Sequence, residues 1–383
     1  MEYSEILHRC FRCGYCKLPS GYQDLNCPPY LKRRFESFAP GGRMWLLRAW
    51  LEQEIPASKR LAEIMYSCAG CANCVENCVF PKFKSDLLNA FTAGREELVN
   101  TGQVPGMVQN YFKAITMYGN PYKMPEAERG DWARDLGIET YNGHEYLFYV
   151  GCPGSFDEIG IKMARAVATV LKERGISFGI MGENETCDGN EVRTMGEKGL
   201  FQALADKNIE SFKKAGVEKI ITLSPHAYHA FKNYYPLLGG SFQVMHYAQL
   251  LAGHAAGPPK GEARPLRVTF HDPCYLGRHN MDYLTPRAVL QAIPGVELVE
   301  MDRTMADSLC CGGGDGNFFT DVLGSGPDSP ARRRVREARE TGANVLAVAC
   351  PKCARMLDDA VRDEELASEL EVMDLAEIIL AQG

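Results

Sequence analysis

The sequence predicts a helical, cysteine-rich N-terminal module followed by two tandem α/β units with parallel sheets. Three observations predict this order. Eight of the 15 cysteines fall within residues 1–80. Beyond residue 144, short apolar runs alternate with amphipathic helical stretches, which is the pattern of parallel strands covered on both faces. In this second part three landmarks recur at nearly the same spacing, which indicates two copies of one unit.

The bulk composition excludes several classes of protein. The chain of 383 residues is 45% hydrophobic and 24% charged, as in ordinary globular proteins, and its net charge of −7 argues against a nucleic-acid partner. We expect the run Arg332–Arg334 to be a solvated helix face. The start, Met1-Glu2, has no secretory pattern, and no apolar run approaches the roughly 18 residues that span a bilayer. We therefore expect a cytoplasmic protein whose thiolates bind metal, and any membrane association to come through a partner subunit.

The N-terminal module is expected to occupy residues 1–118. Leucine, alanine, arginine and glutamate dominate residues 44–66, and residues 84–118 also have a helical pattern. Prolines, Gly130 and many charges follow in residues 119–144, which predicts a linker.

The cysteines of this module form two groups. One group has the spacing C-x2-C-x2-C-x3-C of bacterial ferredoxins, with the members Cys68, Cys71, Cys74 and Cys78. The other group has three cysteines two residues apart and a fourth after ten more residues, with the members Cys10, Cys13, Cys16 and Cys27. Three closely spaced thiolates can bind three corners of a cubane, and a distant fourth completes the set.

These two groups predict an α-helical, ferredoxin-like module with two [4Fe–4S] cubanes. In two-cluster ferredoxins the fourth ligand comes from the other group. That rule gives one ligand set of Cys10, Cys13, Cys16 and Cys78, and a second set of Cys68, Cys71, Cys74 and Cys27. Zinc is the alternative, but zinc sites use separated pairs rather than overlapping triplets. The long gap in the first group, and Val79 where a proline is usual, leave the exchange of fourth ligands open.

Short apolar runs after residue 144 predict the strands of the α/β part. They cover residues 147–150, 219–223, 266–270 and 345–349. A capping box from Ser155 to Glu158 predicts the start of a helix that Gly175 ends. We expect the first unit to occupy residues 145–260 and the second unit to occupy residues 261–383.

The two units repeat three landmarks. Cys152-Pro153 corresponds to Cys274, Cys187-Asp188 corresponds to Cys310-Cys311, and Ser224-Pro-His226-Ala corresponds to Cys350-Pro-Lys-Cys353. The copies therefore differ at the positions that are able to bind metal.

The second unit contains five cysteines that predict another metal site. Cys274 and Cys350 follow apolar strands, where open α/β sheets bind their ligands, and glycines follow Cys310-Cys311. A thioredoxin-like pair at Cys350 and Cys353 is an alternative, but it leaves the other three cysteines without a role. A nucleotide-binding loop at Gly312 is a weaker alternative, because neither the Walker lysine nor the full dinucleotide fingerprint is present.

The pattern of Cys274, Cys310-Cys311-Gly312 and Cys350-x2-Cys353 resembles the cysteine-rich CCG domain. That domain occurs in the B and D subunits of heterodisulfide reductase. It also occurs in the iron–sulfur subunits of anaerobic glycerol-3-phosphate dehydrogenase, glycolate oxidase and the ATP-independent benzoyl-CoA reductase complex. The resemblance covers nearly the whole chain. It implies two tandem CCG domains and a noncubane [4Fe–4S] cluster held by all five cysteines, within a multisubunit complex of anaerobic metabolism.

The first unit departs from this family pattern, because three of its five ligand positions are lost. Cys152 and Cys187 remain, and we expect them to be buried as small apolar side chains in a vestigial copy. The alternative is a rebuilt site in which Asp188, His226 or His229 joins the two cysteines.

The sequence predicts an iron–sulfur electron-transfer subunit. It would relay electrons between an acceptor and a flavoprotein-type partner: a heterodisulfide-reductase-A-like subunit, an electron-transfer flavoprotein or an FAD dehydrogenase. The alternative is a thiol–disulfide reductase that acts at the noncubane cluster, with Cys311 and His271 as candidate catalytic residues. A redox sensor or scaffold is a third class, which no motif favours. His271 and Asp272 are also candidates for tuning the cluster, unless Asp272 only caps the turn before Pro273.

Overall fold

The computed structural model describes residues 3–18, 20, 25–82, 84–254 and 265–382. The expected boundary between residues 260 and 261 lies outside these ranges, as does the start at Met1-Glu2. Within the described part of the chain, no helix is both long enough and apolar enough to cross a membrane.

Within the described ranges, eight strands form two four-stranded sheets, and the pairings between neighbouring strands are all parallel. The strand orders are β2-β1-β3-β4 and β6-β5-β7-β8. The strands are β1 Tyr146–Tyr149, β2 Phe178–Gly179, β3 Lys219–Thr222, β4 Gln243–His246, β5 Leu266–Phe270, β6 Val296–Leu298, β7 Val345–Val348 and β8 Glu371–Asp374.

Eighteen α-helices lie in the described residues. In chain order they are α1 Ser4–Arg9, α2 Pro28–Arg33, α3 Pro40–Leu51, α4 Lys59–Tyr66, α5 Asn73–Asn77, α6 Leu87–Asn100, α7 Gly106–Tyr118, α8 Gly151–Phe156, α9 Glu158–Glu173, α10 Asn190–Thr194, α11 Lys198–Lys214, α12 Pro225–Asn233, α13 Tyr247–Ala252, α14 Thr285–Ala292, α15 Asn317–Thr320, α16 Pro330–Glu340, α17 Pro351–Asp363 and α18 Leu375–Gln382.

The chain divides into two compact units that are each built from separate segments. The first unit contains Met1–Lys113, Glu191–Phe201 and Arg303–Arg334. The second unit contains Ala114–Asn190, Gln202–Asp302 and Val335–Gly383. Each domain predicted from the sequence is one continuous range of residues, whereas each of these units combines three segments that are far apart in the sequence.

In the first unit, α3, α4 and α6 pack against one another. Buried leucine, methionine and aromatic side chains from these helices form its core, among them Leu47, Met65 and Phe91. The sequence pattern over residues 44–66 predicts helical structure, and two helices, α3 and α4, occupy this stretch. The break falls at residues 52–58, where Pro56 lacks the N–H that a helix interior needs.

The second unit contains both sheets, and their identical strand order makes the repeat visible in space. Strands β1 to β4 correspond in order to β5 to β8. Helix α9 of the first copy packs against α17 and α18 of the second, and α13 packs against α14. The Tyr247 hydroxyl donates a hydrogen bond to Asp374, which also links the two copies. The predicted architecture of two parallel α/β units is confirmed.

Two local predictions need correction. The N-cap of α9 is Asp157, whose carboxylate accepts from the N–H groups of Ile159 and Gly160, while the Ser155 hydroxyl donates to the carbonyl of Gly151. The predicted capping box therefore started two residues too early. Arg334 is fully buried and donates to the carbonyl of Arg303, so this part of the arginine run is not a solvated face.

Candidate metal centres

One cavity of the first unit is lined by four of the predicted ligands. Phe11, Met44, Phe80 and Leu87 contribute apolar wall to it. The four cysteines that line it are Cys10, Cys13, Cys16 and Cys78. Cys78, from the second sequence group, thus lies with the three closely spaced cysteines of the first group.

Backbone amides donate hydrogen bonds to the sulfur atoms of this set. Arg12 donates to Cys10, Gly41 to Cys16 and Phe80 to Cys78. A Cβ atom on Gly41 would lie 4.0 Å from the sulfur of Cys10, which places the start of α3 against this cysteine. Amide donors aimed at thiolate sulfur are the groups that tune bound clusters. The cavity and its donors therefore fit an iron–sulfur cluster.

A second set of cysteines lies close together in the same unit. Burial raises the pKa of the Cys74 thiol well above its usual value, and four neighbouring sulfurs raise it further. Those neighbours are Cys68, Cys16, Cys71 and Cys27. Buried thiolates repel one another unless positive charge compensates them, and bound iron supplies that charge. The set therefore also fits a cluster, and it adjoins the first set at Cys16.

Buried arginines add positive charge beside the second set. Arg43 is fully buried and donates to the carbonyls of Phe38 and Ile64 and to the hydroxyl of Ser67. Its charge lowers the pKa of the Cys27 thiol, although burial is the larger effect and raises that pKa to about 12. Neutral acceptors therefore hold the Arg43 guanidinium in place, and its positive charge favours the thiolate form of Cys27.

Arg95 forms a buried ion pair next to the same set. Its Nη1 lies 2.6 Å from Oδ2 of Asp315, and its Nη2 donates to the carbonyl of Cys68 over 3.2 Å. The Asp315 carboxylate also packs directly against Gly70, because a Cβ atom at this glycine would lie 2.1 Å from Oδ1. This network fixes the loop that carries Cys68 and Cys71.

The second unit holds Cys274, Cys350 and Cys353, all buried. Cys350 follows β7 by two residues and is the N-cap residue of α17. Burial alone would raise the pKa of the Cys350 thiol, but hydrogen bonds from Cys353 and His226 outweigh it and lower that pKa well below its usual value. A ring nitrogen of His271 lies within 4.8 Å of the Cys353 sulfur.

The adjacent pair Cys310-Cys311 belongs to the first unit. The N–H of Gly312 donates to the Cys310 sulfur over 3.3 Å, and Gly312 has a φ of +92°. Glycine adopts this left-handed backbone without steric cost. The glycine after the pair therefore supplies an N–H···S contact of the kind seen in the other sets.

Comparisons with known proteins identify the family. The model of the CCG cysteine-rich domain matches residues 146–232 and again 268–358, and the model of a 4Fe-4S dicluster domain matches residues 6–80. The D subunit of dihydromethanophenazine:CoB–CoM heterodisulfide reductase from Methanosarcina barkeri is 30% identical over 97% of this chain and 93% of its own length. The chain belongs to the family of CCG-domain iron–sulfur oxidoreductase subunits.

Two bacterial relatives of this CCG-domain chain are longer proteins. It is 35% identical to the probable iron-sulfur-binding oxidoreductase FadF of Bacillus subtilis, over 83% of this chain and 46% of the relative. It is 30% identical to an EtfAB:quinone oxidoreductase of Syntrophomonas wolfei, over 97% of this chain and 58% of the relative. The chain thus spans about half of their length. A hypothetical protein of Helicobacter pylori shares its fold with a TM-score of 0.56 at 9% identity, over 93% of this chain and 70% of the other.

The first CCG copy keeps its two cysteines in contact with each other. Cys152 and Cys187 are buried, and a hydrogen bond from Cys187 lowers the pKa of the Cys152 thiol to about 7. The guanidinium of Arg129 adds to this effect, with Nη2 at 3.5 Å from the Cys152 sulfur. Arg129 also lies 3.4 Å from the buried carboxylate of Glu185. The pair is therefore part of a polar network, which the expectation of simple apolar burial did not include.

The other side chains that we considered for a rebuilt site form hydrogen bonds outside the cysteine pair, although the charge of Asp188 raises the pKa of both Cys152 and Cys187. The Asp188 carboxylate accepts from the N–H of Asn190 at the start of α10. His226 hydrogen-bonds to Cys350 of the second CCG copy. His229 lies 3.0 Å from the hydroxyl of Tyr234. These contacts favour an emptied first copy.

Asp272 forms an ion pair instead of only capping a turn. Its two carboxylate oxygens accept from Arg287 over 2.7 and 3.0 Å, and both side chains are buried. The pair fixes the backbone between β5 and Cys274.

Sequence reasoning missed the buried arginines Arg43, Arg95 and Arg129. An arginine in a helical or charged stretch usually lies at the surface, so its residue type gave no signal. Arg129 even lies in the segment that we expected to be a linker.

Proposed function

We propose that the chain relays electrons between a flavoprotein-type partner and an acceptor through two [4Fe–4S] cubanes and one noncubane [4Fe–4S] cluster. Bound clusters supply the one-electron chemistry. The residues of the chain bind them, exclude water and direct amide groups and arginine charge at the sulfur ligands. The observation that carries the proposal is that Cys16, which lines the cavity of the first set, interacts electrostatically with Cys27 and Cys74 of the second set, because this makes the two four-cysteine sets neighbours.

The proposed ligands are those expected from the cysteine spacing and the family. The cavity wall supports the set of Cys10, Cys13, Cys16 and Cys78, and the mutual effects on thiol pKa support the set of Cys27, Cys68, Cys71 and Cys74. The match to the CCG domain supports the noncubane set, which is Cys274, Cys310, Cys311, Cys350 and Cys353.

The first experiment counts metal and sulfide in the protein purified without oxygen. We expect a brown protein with roughly 12 irons and a similar amount of acid-labile sulfide. Cubane and noncubane centres should give separate signals in electron paramagnetic resonance (EPR). A colourless protein with one or two zinc ions would overturn the proposal.

The partner class is proposed from the printed names of relatives. One relative is an EtfAB:quinone oxidoreductase, which supports an electron-transfer flavoprotein as the partner here. Another is described as a probable membrane-anchored ferredoxin, which is consistent with a cytoplasmic chain that reaches a membrane through a partner. Stopped-flow mixing with reduced electron-transfer flavoprotein from the same organism tests this class. We expect rapid bleaching of the iron–sulfur absorbance. Bleaching by dithionite but not by the flavoprotein would exclude this donor.

The similarity to the D subunit of heterodisulfide reductase favours one second candidate, a thiol–disulfide reductase. This candidate predicts disulfide reduction with an artificial electron donor. Cys311→Ala would abolish that activity while both cubane EPR signals remain. Absence of turnover by the isolated wild-type chain would count against independent catalysis.

A further inference from the structure

His226 lies in the first CCG copy but contacts the ligand set of the second. It is in the first turn of α12, in the segment Ser224-Pro225-His226-Ala227. This segment follows β3 as Cys350-Pro351-Lys352-Cys353 follows the equivalent strand β7. His226 is 3% exposed, and its side chain hydrogen-bonds to Cys350. The loop that lost its own ligands therefore faces the ligand loop of the intact copy.

Contacts around the ring fix its orientation and its tautomer. The amide nitrogen of Asn190 lies 3.4 Å from Nδ1 of His226. Because an amide N–H donates, Nδ1 accepts in this contact, and the ring nitrogen that carries a proton is then Nε2. That proton is the one available to the Cys350 sulfur. Asn190 thus acts on Cys350 through the histidine, as outer partners of metal-bound histidines set the ring tautomer in other sites.

Aromatic stacking holds the same ring in its plane. Tyr275 stacks on His226 with ring centroids 3.9 Å apart and an angle of 28° between the planes. The other face of Tyr275 stacks on His279 at 4.1 Å and 5°. Tyr275 immediately follows Cys274, another cysteine of the second copy. A ring packed in this way keeps its hydrogen bond to Cys350 in one direction.

We propose that His226 is a positioning residue of the noncubane centre, which donates an Nε2–H···S hydrogen bond to Cys350 and raises the reduction potential of the cluster. The inference rests on the proposed function, because it requires a cluster bound through Cys350. A hydrogen bond withdraws negative charge from a ligating sulfur, and this favours the reduced, more negative state of the cluster. The first CCG copy, which has lost its own ligands, would then still contribute a side chain to the surroundings of the noncubane centre.

The test is an EPR-monitored redox titration of the noncubane centre in His226→Phe. Phenylalanine keeps the stack on Tyr275 but has no N–H. We expect the equilibrium constant for one-electron reduction to fall by about tenfold, or about 59 mV, with the cubane potentials unchanged. His226→Gln retains an amide donor of similar reach and should stay near the wild-type potential.

His229→Phe is the matched control, since His229 lies one turn later on the same buried helix and bonds to Tyr234 and Asn280. These comparisons apply as long as the variants keep the noncubane signal. An unchanged potential in His226→Phe would then overturn the inference, and so would an equal shift in His229→Phe. If His226→Phe does not retain the centre, His226→Asn and His226→Gln replace it. Asparagine is too short to reach the sulfur, so equal potentials in these two variants overturn the inference. A wild-type protein without a noncubane signal overturns the proposed function as well.

Discussion

At the residue scale, buried charged side chains stabilise the loops that carry the cysteines, and the cysteine spacing gives no sign of these side chains. Arg95 spans several parts of the first unit through bonds to the carbonyls of Met65, Cys68 and Thr194 and to the carboxylate of Asp315. Removing one partner of such a buried pair costs roughly 3–5 kcal/mol, because the other charge loses its compensation. The loop around the second set is therefore stabilised by side chains distant from it in sequence.

Gly70→Ala should destabilise the first unit more than another glycine change with the same backbone strain. Gly70 has a φ of +57°, and a Cβ there would meet the Asp315 carboxylate. The left-handed backbone alone costs a non-glycine residue about 1–2 kcal/mol, and displacing Asp315 from Arg95 adds to that. Anaerobic thermal unfolding and iron content measure the effect.

Gly102→Ala is the control, because its φ is +71° and open space surrounds the position of the missing Cβ. We expect it to show only the backbone cost and to retain its full iron content. Equal losses in both variants would show that the Asp315 contact is unimportant.

The cysteine spacing was the most informative sequence signal at this scale. It predicted that Cys78 joins the first three cysteines, and these four line one cavity, but the ligand sets stay a prediction until iron is measured. The arginines were not predictable, since their burial depends on carbonyls that only the folded chain brings within reach.

At the element scale, the central strands could be predicted and the edge strands could not. Strands β1, β3, β5 and β7 lie inside their sheets and appear in the sequence as continuous apolar runs. The edge strands β2, β4, β6 and β8 are shorter or half-exposed, and residues such as Gln243, Glu297 and Glu371 interrupt their apolar character. Pairing with a neighbouring strand, rather than local composition, makes these segments strands.

Asp157→Ala should destabilise the second unit by about 1 kcal/mol, because α9 loses the cap that accepts from its first N–H groups. Ser155→Ala should cost less, since Ser155 makes a single bond to the carbonyl of Gly151. Thermal unfolding of the two variants compares them directly. A larger effect of Ser155→Ala would favour the capping box expected from the sequence.

The junction between β8 and α18 should make stability depend on pH. Burial raises the pKa of Asp374 to about 8 from an ordinary value near 3.8, even though the hydroxyl bond from Tyr247 acts in the opposite direction. The folded state therefore keeps a proton on Asp374 that the unfolded state releases. The contribution of this group to the free energy of unfolding falls as the pH rises from about 4 to about 8. The limiting slope for one proton is about 1.4 kcal/mol per pH unit.

Asp374→Asn cannot ionise, and it should flatten this pH dependence while keeping a side-chain oxygen for the N–H of Ala376. Apparent unfolding temperatures between pH 5.5 and 8 measure the difference. The same slope in variant and wild type would place the titration at another group, such as the buried Glu185.

At the scale of the whole molecule, the order of modules along the chain was predictable, but the grouping of segments was not. Glu191–Phe201 and Arg303–Arg334 belong to the first unit, although they follow β1 in sequence. Contacts between residues far apart in the sequence hold these segments in the first unit. One of them is the hydrogen bond from the Tyr66 hydroxyl to the carbonyl of Met195. Local periodicity contains no information about such pairs, and the linear domain limits stay a prediction.

Cys152 and Cys187 should not contribute to the iron content. They contact each other and Arg129, while Asp188, His226 and His229 form hydrogen bonds with Asn190, Cys350 and Tyr234. The double variant Cys152→Ser and Cys187→Ser should therefore retain the wild-type number of irons and all EPR signals. Cys350→Ser, the matched change at a proposed ligand, should lose or alter the noncubane signal. Loss of about four irons in the double variant would instead indicate a fourth cluster.

The aromatic core of the first CCG copy has a consequence for assembly of the protein. Tyr149 packs on Phe212 and Phe231, and none of these contacts uses a sulfur atom. A copy that lacks three ligand positions thus retains the same sheet as its metal-binding counterpart. The scaffold of the second unit should accordingly form before iron is delivered and survive its loss to oxygen. Repair of a damaged centre would then require only a fresh supply of iron and sulfide, and not synthesis of a new chain.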